Sequence, residues 1–268
     1  MFADLHIHSN SSDGTWDNSE ILGIVKQKNI ELFSVIDHDI LGNSVKMLDE
    51  LDGYVGRYIH GSEITAAHKN VTYHIATYNF DYNDKALEKL LSRNREIWEN
   101  FNNEFIRLYS KENSSIDCIE HKEYMHTPGK GGWKTLNYLL EKNVLTEIPV
   151  FFKMAKPLIN LLTYPTPEKV IKIVKNAGGF SFLGHPNAYN NRKVLPEKSL
   201  KEWIDFGISG IEAYSPYCTK NDSKYYAAFC NKNNLQISGG SDCHGNLLLE
   251  RTIGSPVLTK EMLHLSFI

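Results

Sequence analysis

Cysteine is scarce in this chain: four of 268 residues, Cys118, Cys218, Cys230 and Cys243, with no CxxC pair among them. Four scattered thiols neither staple a disulfide scaffold nor build a thiolate zinc site, and they fit a reducing cytoplasm. No run approaches the roughly 18 uninterrupted apolar residues of a membrane-spanning helix. The opening MFADLHIHSN has no basic stretch leading into an apolar one, so a soluble, unexported protein without a membrane partner is expected. Charge of one sign is lacking too. With 29 Lys and Arg against 32 Asp and Glu the formal net charge is -3, which excludes the broad basic footprint that long duplex nucleic acid demands. An anionic substrate has to be met locally. There is no internal repeat and no low-complexity tail.

What is present is a chain 41% hydrophobic, enough for one large α/β domain. Short apolar, β-branched runs recur at 2–8, 32–38, 58–63, 71–78, 180–185, 208–214 and 235–242, each ending in a polar residue before the pattern turns helical. Asp17 with Glu20 three residues on reads as a capping box that opens an amphipathic helix through Ile21, Ile24 and Val25. Thr166-Pro167 reads as another helix start, with Val170, Ile171 and Val174 at helical spacing and Gly178-Gly179 as a stop. Alternating strands and helices predict a parallel sheet with helical crossovers. The segment 81–164 breaks the rhythm. Leu87, Leu90, Leu91, Trp98, Phe101, Phe105 and Leu108 mark one long amphipathic helix, so 81–164 reads as a helical insertion, and 1–80 with 165–268 as a discontinuous main domain.

The run ends carry the chemistry. In Asp4-Leu5-His6-Ile7-His8, strand alternation sends His6 and His8 to one face, where two imidazoles can chelate one ion; paired histidines are equally ordinary polar strand positions. Asp13, beside Gly14, can be a simple turn residue. His38 sits between Asp37 and Asp39, two carboxylates able to orient its ring. Glu63 follows Gly61-Ser62, His74 lies inside its run and is also readable as a core histidine, and His185 stands in Gly184-His185-Pro186. The last run ends Gly239-Gly240-Ser241-Asp242-Cys243-His244, where glycines let backbone approach a crowded site.

Six of the eleven histidines and three carboxylates therefore fall at or just past predicted strand ends. In a parallel barrel such ends converge on one rim, where active sites are built. Collected there without ions they would carry a large desolvation cost, so His6, His8, Asp13, His38, Glu63, His74, His185, Asp242 and His244 are expected to hold two to three divalent ions. Nitrogen and oxygen donors suit manganese, iron or zinc. His60, His68, His121, His126 and His264 lack that placement, and Cys243 reads as a packed neighbour.

Through DLHIHSNSSDG, VIDHD, GSEIT, YHIATY, FLGHP and GGSDCHG, over about 1–80 and 165–255, the chain resembles the PHP family, named for polymerase and histidinol phosphatase domains. The resemblance implies a distorted, TIM-like (β/α)7 barrel. It also implies that His6, His8, Glu63 and Asp242 hold one ion, Glu63, His74 and His185 a second, and Asp13, His38 and His244 a third. Within the family the chain looks most like small phosphoesterases acting on nucleotides or short oligonucleotides, including nucleoside 3',5'-bisphosphate phosphatases and 5'-to-3' exoribonucleases. It departs from them in the insertion, where HTPGKGGWKTL stands in place of an Arg-Pro-His-like stretch.

The implied function is hydrolysis of a small phosphorylated substrate, a nucleotide or a short oligonucleotide end, with Glu63, Asp242 and His244 in the catalytic centre. Arg192 is a candidate phosphate clamp, since a guanidinium engages two oxygens at once; a solvated loop arginine is the plain alternative. Lys130 and Lys134 are candidates on an insertion that can roof the rim. Histidinol-phosphate or sugar-phosphate phosphatases would use the same ions. A noncatalytic module would show a degraded donor set, and a metal-dependent amidohydrolase would show a central-strand lysine.

Overall fold

The computed structural model describes residues 2–268. In chain order its elements are β1 (Phe2–Ile7), α1 (Asn18–Gln27), β2 (Ile30–Val35), α2 (Gly42–Lys46), β3 (Arg57–Tyr58), β4 (Gly61–His68) and β5 (Val71–Tyr78), then α3 (Lys85–Tyr109), α4 (Cys118–Glu123), α5 (Lys134–Glu141) and α6 (Ile148–Ala155). The remainder is α7 (Pro167–Asn176), β6 (Phe180–Leu183), α8 (Glu197–Asp205), β7 (Gly210–Tyr214), α9 (Lys220–Lys232), β8 (Gln236–Gly239) and β9 (Leu258–Thr259). The expected helix starts are present. Asp17 accepts from the Glu20 amide at 2.9 Å while Glu20 accepts from the Asp17 amide at 3.0 Å, and Thr166 caps α7 with Pro167 in its first turn. No helix among the described residues is long and apolar enough to cross a membrane.

The architecture is mixed α/β, and among the described residues its ladders do not close into a barrel. One sheet has the order β3-β2-β1-β9 and the other β4-β5-β6-β7-β8. Two isolated parallel bridges, Ile7 to Cys243 and His38 to Glu63, tie one sheet to the other. The run 58–63 is split between the sheets, as β3 and the start of β4. The expected all-parallel order fails at β4, β5 and β6, which pair antiparallel. The reason is local: only Lys69 and Asn70, both left-handed with φ of 50° and 62°, separate β4 from β5, and so short a link permits a hairpin but no crossover.

The sheets meet over a shared apolar layer of Ala3, Leu5, Leu32, Ile36, Ala76, Tyr78 and Phe182. Within it the fully buried Tyr78 hydroxyl donates to the Leu5 carbonyl at 2.9 Å, joining β5 to β1. Asp4, also buried, accepts from the amides of Ser241 (2.9 Å) and Gly254 (2.8 Å), fixing the loop beyond β8 against β1. Helix α3 spans two cores. Leu87, Leu90 and Leu91 pack with α7 residues in the main core, whereas Phe101 and Phe105 join Leu136, Leu139 and Phe151 in a separate insertion core.

Tyr78→Phe is expected to lower the unfolding free energy by about 1–3 kcal/mol, because it leaves a buried carbonyl short of its donor. Chemical denaturation with an unchanged slope measures this, and unaltered stability would remove the phenol from its tie between the sheets.

Candidate metal centre

The nine expected donors come together where the two sheets are bridged. His6 and His8 leave β1 on one face with their Nε2 atoms 3.2 Å apart. Glu63 Oε2 lies 3.3 Å from His6 Nε2 and 3.2 Å from His8 Nε2, and Asp242 Oδ1 lies 3.5 Å and 3.3 Å from the same two atoms. Asp13 faces His8 Nδ1 at 3.6 Å, His38 Nε2 at 3.7 Å and His244 Nε2 at 3.3 Å. On the other side, Glu63 Oε1 meets His185 Nε2 at 2.8 Å and His74 Nδ1 at 3.4 Å, and its Oε2 lies 3.2 Å from His38 Nδ1. One carboxylate thus sits within 3.4 Å of five imidazoles.

Close backbone approach makes room for this. A Cβ on Gly240 would lie 2.3 Å from the His6 Cβ, and one on Gly184 would lie 3.1 Å from the His74 carbonyl and 3.3 Å from Glu63 Oε1. His185, Asp242 and Asp39 adopt left-handed φ of 26°, 49° and 50° without being glycine, a local strain of the kind that collects at functional sites.

Burial alone would lift the Glu63 and Asp242 carboxyls, but the surrounding imidazoles outweigh it and hold both well below the usual carboxylate range. Burial opposes charge on His8 as well, yet Asp242, Glu63 and Asp13 raise it to about 10. His38 goes the other way. Burial there dominates the pull of Asp13 and Glu63, and the ring falls to about 3. Raised in this way, the His6, His8 and His74 rings favour holding protons beside the buried carboxylates. That is the charge a divalent ion supplies when it displaces them.

The donors fit metal on geometry and on chemistry. Three groups can each gather around one ion: His6, His8, Glu63 and Asp242; His8, Asp13, His38 and His244; and His38, Glu63 and His74. Buried Glu63 Oε2, His8 Nδ1, His74 Nδ1 and His185 Nδ1 have no hydrogen-bond partner, and polar atoms left so in a protein interior call for a ligand. The grouping differs from the expected partition in two respects. His8 also faces the Asp13 group, and His38, rather than His185, joins Glu63 and His74. Exposure is uneven: side-chain exposure is at most 6% for His6, His8, Glu63, His185, Asp242 and His244, but 19%, 27% and 29% for Asp13, His38 and His74. The centre opens on that side.

Other expectations need correction. Asp37 and Asp39 do not orient the His38 ring. Asp37 accepts from the Ser9 amide and the Ser9 and Ser12 hydroxyls, bracing the loop that carries Asp13, and Asp39 binds Thr65 and Asn94. Neither expected lysine is brought to the donors by a contact. Lys130 pairs with Glu141, and Lys134 donates to the Lys122 carbonyl at 2.8 Å, because both stand on the exposed side of the insertion. The insertion still touches the centre, since the Gly132 amide donates to the Asp13 carbonyl at 2.7 Å. Arg192 is on an exposed turn, left-handed with Asn191 (φ 61° and 51°), and its guanidinium lies 4.3 Å from the centre of the Tyr217 ring.

Sequence reasoning missed three residues. Glu212, fully buried in β7, accepts from or shares a proton with His6 Nδ1 at 2.6 Å; a charged residue inside the apolar run Gly-Ile-Glu-Ala-Tyr was the available signal. Arg251 pairs with Asp242 Oδ2 and lies 4.8 Å from the same Tyr217 ring that Arg192 covers. Burial first, then neighbouring Asp242, push the Tyr217 phenol up. Nothing local to Arg251 or Tyr217 marked either in the sequence.

No family model matches the chain. A 3',5'-nucleoside bisphosphate phosphatase from Chromobacterium violaceum is 22% identical over 256 residues, covering 90% of this chain and 86% of that protein. The 5'-3' exoribonuclease Rnm of Escherichia coli is 22% identical over 251 residues, covering 90% and 84%. Among solved structures, a Bifidobacterium adolescentis protein named as a metal-dependent phosphoesterase superposes with a TM-score of 0.77 at 18% identity, covering 97% of this chain and 93% of that one.

Glu212→Gln is expected to weaken divalent-ion binding about 10- to 100-fold, as loss of a carboxylate behind a ligating histidine does. Titration calorimetry with manganese tests it. An affinity equal to the parent's would separate Glu212 from the centre.

Proposed function

We propose that the chain is a PHP-like metal-dependent phosphoesterase that hydrolyses phosphate esters of small nucleotides or of short oligonucleotide ends. The observation that carries this reading is the interlocked donor set, in which His8, His38 and Glu63 are each common to two groups, backed by the activities named for the two bacterial relatives. We read the two bridged sheets as an opened (β/α)7 barrel formed by 1–80 and 165–268, with 81–164 as its roof. The four free thiols suit a reducing, cytoplasmic setting.

The residues that would hold two to three ions of manganese, iron or zinc are His6, His8, Asp13, His38, Glu63, His74, His185, Asp242 and His244. Ions held there supply positive charge for phosphoryl oxygens and acidify water. The chain's own part is placement. Glu63 spans the donor groups, Glu212 fixes the ring of His6, and Arg251 holds the outer oxygen of Asp242 so that Oδ1 stays turned inward. A phosphoryl group enters where Asp13, His38 and His74 are partly exposed. The Arg192 guanidinium, stationed on the Tyr217 face, takes a second anionic group of the substrate in two-pronged fashion. With net charge -3 and few basic groups at the centre, attraction is local and favours small ligands and chain ends.

Manganese-loaded protein is expected to retain two to three ions by elemental analysis and to hydrolyse a nucleoside bisphosphate or a short 5'-phosphorylated RNA. At most one ion after loading would end the trinuclear reading, and efficient internal cleavage of long duplex DNA would end the substrate class. Asp242→Ala should abolish turnover while the far-ultraviolet circular dichroism stays that of the parent. Arg192→Ala should raise KM for a nucleoside bisphosphate about 10-fold, the scale of one charge-assisted contact of roughly 1.5 kcal/mol, and leave KM for a simple aryl phosphate unmoved. An equal change on both substrates would discard the clamp.

A further inference from the structure

The insertion reaches the segments that carry Asp13 and His38, two of the three part-exposed donors. The Gly132 amide binds the Asp13 carbonyl. More elaborately, helix α3 grips Asp39, the residue after His38. The Asn94 Nδ2 group donates to Asp39 Oδ1 at 2.7 Å and to the Thr65 carbonyl at 2.8 Å, and the Arg95 guanidinium donates to the Asp39 main-chain carbonyl at 2.6 Å. The opposite side of Asp39 is held by β4, through its amide to the Glu63 carbonyl at 2.9 Å and its carboxylate to Thr65. Asp39 is left-handed (φ 50°) without being glycine, a conformation that persists only where the surroundings enforce it. Asn94 is fully buried, and its Oδ1 has no partner. The residue thus carries a desolvation cost that only its donor half offsets, and reversing the amide would turn oxygen against the Asp39 carboxylate.

We propose that Asn94 and Arg95 are positioning residues that fix the His38 turn, so that the insertion helix sets the affinity of the ion held by Asp13, His38 and His244. The inference rests on the metal-centre reading above. His38 and Asp13 are among the most exposed donors, so their placement depends on the turns that bear them more than on packing around their side chains. On its Asp39 side the His38 turn is held by β4, through Glu63 and Thr65, and by α3, through Asn94 and Arg95. Removing the second frees the turn on the side that faces the opening.

The test counts ions. Parent, Asn94→Leu and Asn102→Leu proteins are loaded with manganese, desalted and analysed for metal, with thermal melts and manganese calorimetry alongside. Asn102 is another buried amide on the same helix, and its Nδ2 bonds only the Trp98 carbonyl of its own turn. Asn94→Leu is expected to lose one equivalent of manganese, or to bind its weakest ion about 10- to 100-fold less tightly, while Asn102→Leu keeps the parent count. Should Asn94→Leu fail to fold, Arg95→Met is expected to show the same loss and Arg95→Lys, which keeps a donor at that reach, to restore it. Full parent occupancy and affinity in folded Asn94→Leu or in Arg95→Met, or an equal loss in Asn102→Leu, would overturn the inference. A parent protein that binds no ion at all would instead overturn the metal reading and this inference with it.

Discussion

A single carboxylate buried among five imidazoles governs this molecule. Glu63 has no exposure to solvent, and an isolated carboxylate in that position would be protonated or expelled. It stays ionised because His6, His8, His38, His74 and His185 surround it, each delivered by a different stretch of backbone apart from the His6–His8 pair. The condition that these five rings converge on two oxygens constrains the end of β1, the place of Glu63 early in β4 and of His74 within β5, and the turns after β2 and β6. It also explains why the two sheets are bridged by His38 and Glu63 themselves.

Convergence of that kind strains its supports, and the supports are correspondingly over-determined. Asp4 and Asp37 are buried carboxylates that touch no candidate donor side chain. Each instead collects amides and hydroxyls from the loops that bear Asp242 and Asp13. Tyr78 crosses from one sheet to the other beneath the centre. Around the inner donors, whose unpaired atoms face one another, Asp4 and Asp37 thus form an outer tier held by amides and hydroxyls.

Much of this was legible in the sequence, because a strand end is a place where pattern and chemistry coincide. Apolar runs located most of the strands, and titratable residues at or near their ends, His74 inside its run apart, pointed to the donors. The helix caps at Asp17 and Thr166 were local hydrogen-bonding patterns and were read directly. The failures share a different cause. The β4–β5 hairpin turns on two left-handed residues that are not glycine, so no turn signal announced it. Lys130 and Lys134 stood near a glycine-rich loop that does reach the centre, but their side chains follow the exposed face of the insertion. Arg251 and Tyr217 meet Asp242 and Arg192 only in three dimensions, and one sequence carries no periodicity for such encounters. Glu212 alone was discoverable, as a charge in a run with no polar face.

The graded exposure of the donors has a consequence for how the protein exchanges its ions. Were ions held as proposed, one among the buried His6, His8, Glu63 and Asp242 would stand behind the part-exposed Asp13, His38 and His74. Occupancy would then have an order: the interior position would fill before the outer one and empty after it, and a chelator would strip the centre from the mouth inward. Partially loaded protein would on that account be a single species rather than a statistical mixture, its remaining cations at the deep end.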